Sequence, residues 1–200
     1  MPTRMTIAML VALIALATCA QTSREKSNNE VLPDTVIEVF ENRAIWEEFP
    51  RPFMEALAER FDSVEVASNF AVLCEESGIL ENNIRRLSEY LDPEFAVGAV
   101  ASTLTSYGNT MGEQGEIIKA KEGLEFALVL NPNHVPAWLS MAIVSVNLGD
   151  CTSAIDWADK SLNFQPDPNS ENSWEKAMAA TENFSNEIRD QMEALKAACK

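Results

Sequence analysis

Apolar residues recur along this chain at steps of three and four, the spacing of one face of a helix. Leu80, Ile84, Leu87 and Leu91 do so, and Trp174, Met178, Thr181, Phe184, Ile188, Met192 and Leu195 do so over a much longer stretch. Local signals divide the rest into further helices. Pro50 and Pro52 separate a helix at about 34–48 from a short one at 53–61. Asp62 and Glu65 have the spacing of a capping box for a helix running to about Glu76, which Gly78 stops. Asp92-Pro93 offers a capping carboxylate followed by a proline in the first turn. Val135–Leu148 is apolar nearly all round, which implies burial on both faces. The pattern is helical throughout, and the predicted class is all-α.

A second regularity lies over the first. Gly115, Ala120, Leu128 and Pro132 return thirty-four residues later as Gly149, Ala154, Leu162 and Pro166. A fixed period of this length marks stacked helix-turn-helix units. The second window, 135–168, has Trp138, Met141 and Ala142 at large, large and small positions, then Gly149 to close the helix, Asp150 to cap the next, and Pro166 to end it. Ala154 is small where two helices must cross closely. The first window, 101–134, carries Leu104, Tyr107, Gly108, Gly115, Ala120, Ala127 and Pro132 in the same register. These residues resemble the tetratricopeptide repeat family. The aromatic that the family places late in the first helix is Met111 and Ser145 here, so the repeats are degenerate.

The resemblance implies an α-solenoid of tetratricopeptide-like hairpins. The helices within 34–62 precede it, 63–100 is a possible degenerate repeat, and 169–200 forms a long C-terminal capping helix. It also implies a concave groove lined by the first helix of each unit. In register, Ser102, Thr105, Asn109 and Gly112 face it from one window, and Pro136, Leu139, Ile143 and Val146 from the other. The family's clamp for peptide carboxylates needs lysine or arginine beside asparagine. Asn109 matches one element, but Thr105, Leu139 and Ile143 supply no charge, which argues against that mode of recognition. The apolar groove side of 135–148 calls for a cover, either a partner or the chain's own segment around Phe40, Ile45, Trp46 and Phe53.

The first twenty residues read as a leader. Arg4 precedes an apolar run, Ile7–Ala17, with cleavage placed after Ala20. Leu16-Ala17-Thr18-Cys19 also looks like a lipobox, in which Cys19 is lipidated and anchors the protein to a membrane through its N-terminus alone. Both readings predict export, to the periplasm or as an outer-membrane lipoprotein in preference to full secretion. Residues 21–33 form a polar tether. Three cysteines then remain in the fold, and an odd number leaves one unpaired or shared between chains. Cys74 lies in an apolar helical stretch and reads as core, Cys151 opens the second helix of a repeat, and Cys199 near the end is placed to join two copies.

Charge narrows the class of partner. The formal net charge is −16. Between Leu87 and Asp159 the only basic residues are Lys119 and Lys121, against ten acidic ones. This excludes nucleic acid and electrostatic attachment to anionic lipid. His134, the one histidine, follows Asn131-Pro132-Asn133 and reads as a solvated first-turn residue. Glu75 and Glu76 read as solvent-facing at a helix end. Asn183-Phe184-Ser185 fits a glycosylation sequon but falls on the apolar stripe of the last helix, and reads as chance. Phosphate-binding glycine loop, nucleophile elbow and metal spacing are all missing from the sequence. The predicted function is therefore non-catalytic and cofactor-free: an exported scaffold that binds a protein or peptide. The alternatives are an accessory domain or hydrolase acting on envelope polymers, and a purely structural lipoprotein.

Overall fold

In the computed structural model, residues 32–81, 83–164, 169 and 186–199 are described. Among these residues the secondary structure is entirely helical. The predicted leader, Cys19, the tether up to residue 31, Pro166 and the stripe from Trp174 to Phe184 lie outside the described residues, as does the Asn183 sequon.

The N-terminal third is built around aromatic rings. Helix α1 (Leu32–Glu41) buries Val36, Ile37 and Phe40. The sequence pattern predicted that this helix would continue to residue 48. Instead it stops at Glu41, Arg43 is extended, and a 3-10 turn forms at Ala44–Trp46. The break returns Trp46 to Phe40, with ring centroids 4.7 Å apart. Helix α2 (Arg51–Ala58) follows an extended Pro50 and buries Phe53, Met54 and Leu57. Helix α3 (Val64–Ser77) is capped one residue later than predicted: Ser63 Oγ, not Asp62, accepts from the Val66 N–H at 3.2 Å. Gly78 ends α3 in the left-handed region, φ 63°. Phe40, Trp46, Phe49, Phe53, Phe61 and Phe70 then form one chain of ring contacts, and Phe70 passes it to Phe126 at 5.5 Å. Each such pair adds about 0.5–1.5 kcal/mol beyond the area it buries.

Helix α4 (Ile84–Tyr90) starts later than its periodicity predicted, after a left-handed Asn83. Leu80 and Ile84 are in the core, but Leu87 is exposed, so the Leu80–Leu91 stripe is only partly a buried face. Helix α3 packs on α1 and α4 packs on the next helix, α5 (Pro93–Glu113). Asp92 caps α5 as predicted: its Oδ1 accepts from the N–H groups of Glu94 at 3.0 Å and Phe95 at 3.3 Å. This helix crosses residues 100 and 101 without interruption.

Two helical hairpins complete the architecture. Helices α5 and α6 (Ile117–Leu130) form the first, and α7 (Val135–Asn147) and α8 (Cys151–Asn163) the second. The boundaries repeat: α5 and α7 end at Glu113 and Asn147, and α6 and α8 begin at Ile117 and Cys151. Gly115 (φ 82°) and Gly149 (φ 75°) occupy the turns. Close packing of α5 on α6 depends on small residues. A Cβ on Gly108 would lie 2.8 Å from Leu124 Cγ and 3.0 Å from the Ala120 carbonyl oxygen, and one on Gly123 would meet the Tyr107 ring at 2.8 Å. Ala120, Ala127, Trp138, Ala142 and Ala154 are fully buried. Pro132 is exposed in the turn between the hairpins.

The first hairpin packs on the second mainly through α6 and α7, and through α5 and α7. One continuous core reaches from Val36 to Val144. A separate small cluster joins Ala142 and Ala158 to Met192 of α9 (Asn186–Ala198), with Leu139, Trp157, Leu162 and Leu195 around it. Helix α9 thus lies against α8 and α7 at the C-terminal end.

Candidate binding face

Helix α7 divides its side chains between two surroundings. Ala137, Trp138, Met141, Ala142 and Val144 are buried. Pro136, Leu139, Ile143 and Val146, one step of three or four apart, fall on the opposite side. Ile143 is 50% exposed and Val146 37%, and Leu148 just beyond the helix is 41% exposed. The apolar character of 135–148 therefore has two causes. One side fills the core, and the other presents aliphatic surface to solvent. A polar side chain at Ile143 or Val146 would satisfy the fold equally well.

The expected groove does not assemble uniformly. Thr105 is a correction: it is only 4% exposed, and its hydroxyl donates to the Ala101 carbonyl at 2.9 Å. Bonded to its own helix, the side chain acts as a small core residue. Ser102 likewise donates to the Gly98 carbonyl at 3.1 Å and is half-buried. Asn109 is exposed, and Gly112 is half-buried. Of the four positions expected on the groove from α5, Asn109 is thus the exposed one.

The cover also differs from expectation. Phe40, Trp46 and Phe53 are occupied with Phe49, Phe61 and Phe70, and Ile143 and Val146 stay open. It is Leu139 that gains a neighbour, packing at the edge of the Met192 cluster. Helix α9 is held there by three features. Met192 is 2% exposed, Lys196 Nζ lies 2.6 Å from Asp159 Oδ1, and Cys199 forms a disulfide with Cys151 at a Cα–Cα distance of 5.2 Å. Burial of Met192 is worth about 1.5–3 kcal/mol. In the chain-entropy account, a bridge closing 48 residues contributes about 4 kcal/mol. The placement of Cys199 for joining two copies is overturned, because its sulfur is already bonded within the chain. Cys74 is the free cysteine, fully buried in α3, and burial pushes its thiol far above the ordinary range.

Other chemistry-bearing groups lie apart from this row in the sequence. His134 is not a solvated turn residue: it is 1% exposed, and burial lowers its pKa to about 4. Its carbonyl accepts from the N–H groups of Ala137 at 2.9 Å and Trp138 at 3.2 Å, which starts α7. Lys160 lies over the rings of Trp138 and Trp157, 4.5 and 5.3 Å from their centroids. Glu75 is partly exposed and accepts from Arg43 Nη1 at 2.6 Å. Arg51 gathers Glu55 at 2.9 Å, Glu41 at 3.1 Å and Asp34 at 3.6 Å. It lines an open cavity of about 280 Å³ with Glu41, Trp46, Glu47, Phe49 and Met54. Among the described residues no three His, Cys, Asp or Glu side chains are grouped to hold a metal, and no helix is long and apolar enough to cross a membrane.

Sequence register found the open side of α7. The disulfide and the buried histidine gave no local signal, since each depends on what the fold brings near. Comparison of the chain with protein-family models, with curated proteins and with solved structures finds no match in any of the three.

Proposed function

We propose that this protein is a non-enzymatic binding scaffold, a short α-solenoid of degenerate tetratricopeptide-like hairpins acting outside the cytoplasm. The observation that carries the reading is the outward aliphatic row of Ile143 and Val146, continued by Leu148. Its burial by a partner returns free energy that the fold alone leaves unused, on the order of 25 cal/mol per Å² of apolar area. The repetition of helix ends and glycine turns at thirty-four residues supports the repeat reading. Asn109 adds one polar contact beside the row. The occupant that suits such a face is a protein segment or peptide with an apolar side. The Cys151–Cys199 bridge favours an oxidising compartment, in line with the leader expected from residues 1–20.

The test is capture from an envelope extract with the wild-type chain and with Ile143→Asp. Enrichment of a defined protein by the wild type, lost in the variant at unchanged helicity and melting temperature, supports the reading. Equal capture by both proteins, or none by either in several detergents, rejects it.

A further inference from the structure

Among the described residues, helix α9 is joined to the rest of the protein through a small cluster, an ion pair and a disulfide, and the last of these is chemically reversible. Among its described side chains, from Arg189 on, Met192 is the buried one, Leu195 and Lys196 are half-buried, and Arg189, Asp190, Gln191, Glu193, Ala194, Ala197 and Ala198 are exposed; Cys199, just beyond the helix, is half-buried. An isolated helix of thirteen residues is marginal in water, so α9 depends on docking to keep its form. The docking surface is small: Ala142 and Ala158 beneath Met192, with Leu139, Trp157, Leu162 and Leu195 at its edge. The ion pair of Lys196 with Asp159 is partly exposed, and pairs of that kind contribute little. The remaining link among the described residues is Cys151–Cys199, between the first residue of α8 and the residue that follows α9. Both cysteines are partly exposed, unlike the buried Cys74. Cys74 in α3 is sealed in the main core and takes no part.

We propose that the Cys151–Cys199 bridge is a redox latch that holds α9 over the α7–α8 face, and that its reduction releases α9 and uncovers apolar surface continuous with the Ile143–Val146 row. Leu139 makes the connection, because it belongs both to the row and to the cluster under Met192. The oxidised protein thus presents a short binding face and the reduced protein a longer one. The reductant is a dithiol. One of its thiolates attacks a sulfur of the bridge, and the other Cys leaves as thiolate. The second thiol of the reductant then resolves the mixed disulfide. Two electrons pass from dithiol to bridge, two protons end on Cys151 and Cys199, and the reductant departs as a disulfide. The inference deepens the binding reading above and names the regulation of that same face.

The experiment is hydrogen exchange on the full chain, with and without dithiothreitol, read alongside fluorescence of an apolar-surface dye. The expected result is a tenfold or greater loss of protection confined to residues 189–198, with α5 and α6 unchanged and dye fluorescence raised. Cys151→Ser/Cys199→Ser should show the released pattern without reductant and no response to it. Cys74→Ser should respond as the wild type does. Unchanged protection of α9 on reduction overturns the latch. So does an equal loss across every helix, which would make the bridge a staple of the whole fold, and so do two free thiols at Cys151 and Cys199 in the untreated protein. None of these readouts uses a ligand. A normal exchange response with no partner captured would therefore reject the scaffold reading and leave the latch standing.

Discussion

Gly115 and Gly149, thirty-four residues apart, hold the same left-handed backbone, at φ 82° and 75°, and close the same turn. After the first, the Glu116 N–H donates to the Met111 carbonyl at 2.9 Å; after the second, the Asp150 N–H donates to the Ser145 carbonyl at 2.9 Å. Each bond satisfies a carbonyl that the helix end would leave open. The two turns are thus alike atom for atom in their backbone bonds, although the residues around them differ.

Gly149 in the α7–α8 turn and Gly112 and Gly108 in α5 separate three physical effects. Gly149→Ala meets no atom within 4 Å and should cost about 1 kcal/mol through left-handed strain alone. Gly112→Ala makes ordinary contact with Ala120 at 3.8 Å and should stabilise the protein by up to about 1 kcal/mol through helix propensity. Gly108→Ala should be destabilising by about 1–2 kcal/mol in spite of that gain, because Leu124 is buried and cannot swing aside. Urea midpoints at constant slope measure all three. A stabilised Gly108→Ala protein would mean that α5 and α6 stand farther apart.

Ala154→Glu places a carboxylate at a position with no exposed surface, where α8 meets α7. A carboxylate there is taken out of water between two packed helices, so steric and desolvation costs add to several kcal/mol. Thermal denaturation should show a fall of ten degrees or more. A melting temperature like that of the wild type would be incompatible with the α7–α8 packing.

Ile143 and Val144 are neighbours in sequence with opposite surroundings, 50% and 5% exposed. Ile143→Asp should change stability by no more than about 0.5 kcal/mol, as surface substitutions do. Val144→Asp buries an unpaired charge and should cost about 3 kcal/mol or more. Chemical denaturation of the two variants in parallel checks the rotation of α7 about its axis, and equal losses would refute it.

His134 makes stability depend on pH in a definite window. Its folded pKa, about 4, lies below the ordinary value of 6.5. Above pH 6.5 neither state binds the proton. As pH falls from 6.5 towards 4, the unfolded chain binds it and the folded chain does not, so stability declines, by on the order of 3 kcal/mol. Below about 4 this contribution falls no further. The measurement is the slope of unfolding free energy against pH, for wild type and for His134→Asn. The variant should have a shallower slope between pH 4 and 6.5; identical slopes would show that His134 titrates normally.

What the sequence made legible was local. The caps at Asp92 and Asp150 and the stops at Gly78 and Gly149 stand where they were predicted, because each is fixed by bonds within a few residues. The rotation of α7 was legible too, since Trp138, Met141 and Ala142 set it by size. Thr105 was misplaced because register assigns a face but does not say whether a hydroxyl will turn back on its own helix. The early end of α1 follows from the attraction of Trp46 to Phe40 and Phe70, a tertiary effect that overrides periodicity. The burial of His134 and the pairing of Cys151 with Cys199 depend on elements far apart in the chain, and neither has a signature in the residues beside it.

The aromatic chain that ends on Phe126 bears on how a protein of this design can change in length. Every ring contact among the described residues of the N-terminal half stays on one side of the turn at 131–134, and Trp138 with Phe164 stays on the other. The cluster that spans α6 and α7 includes Leu124, Ala127 and Leu130 on one helix and Ala137, Met141 and Val144 on the other. An insertion at that turn would separate no ring pair among the described residues. The same insertion between α3 and α5 would split Phe70 from Phe126. Among the described residues, the turn at 131–134 thus divides two sets of rings, and the N-terminal set is tied together from α1 to α6.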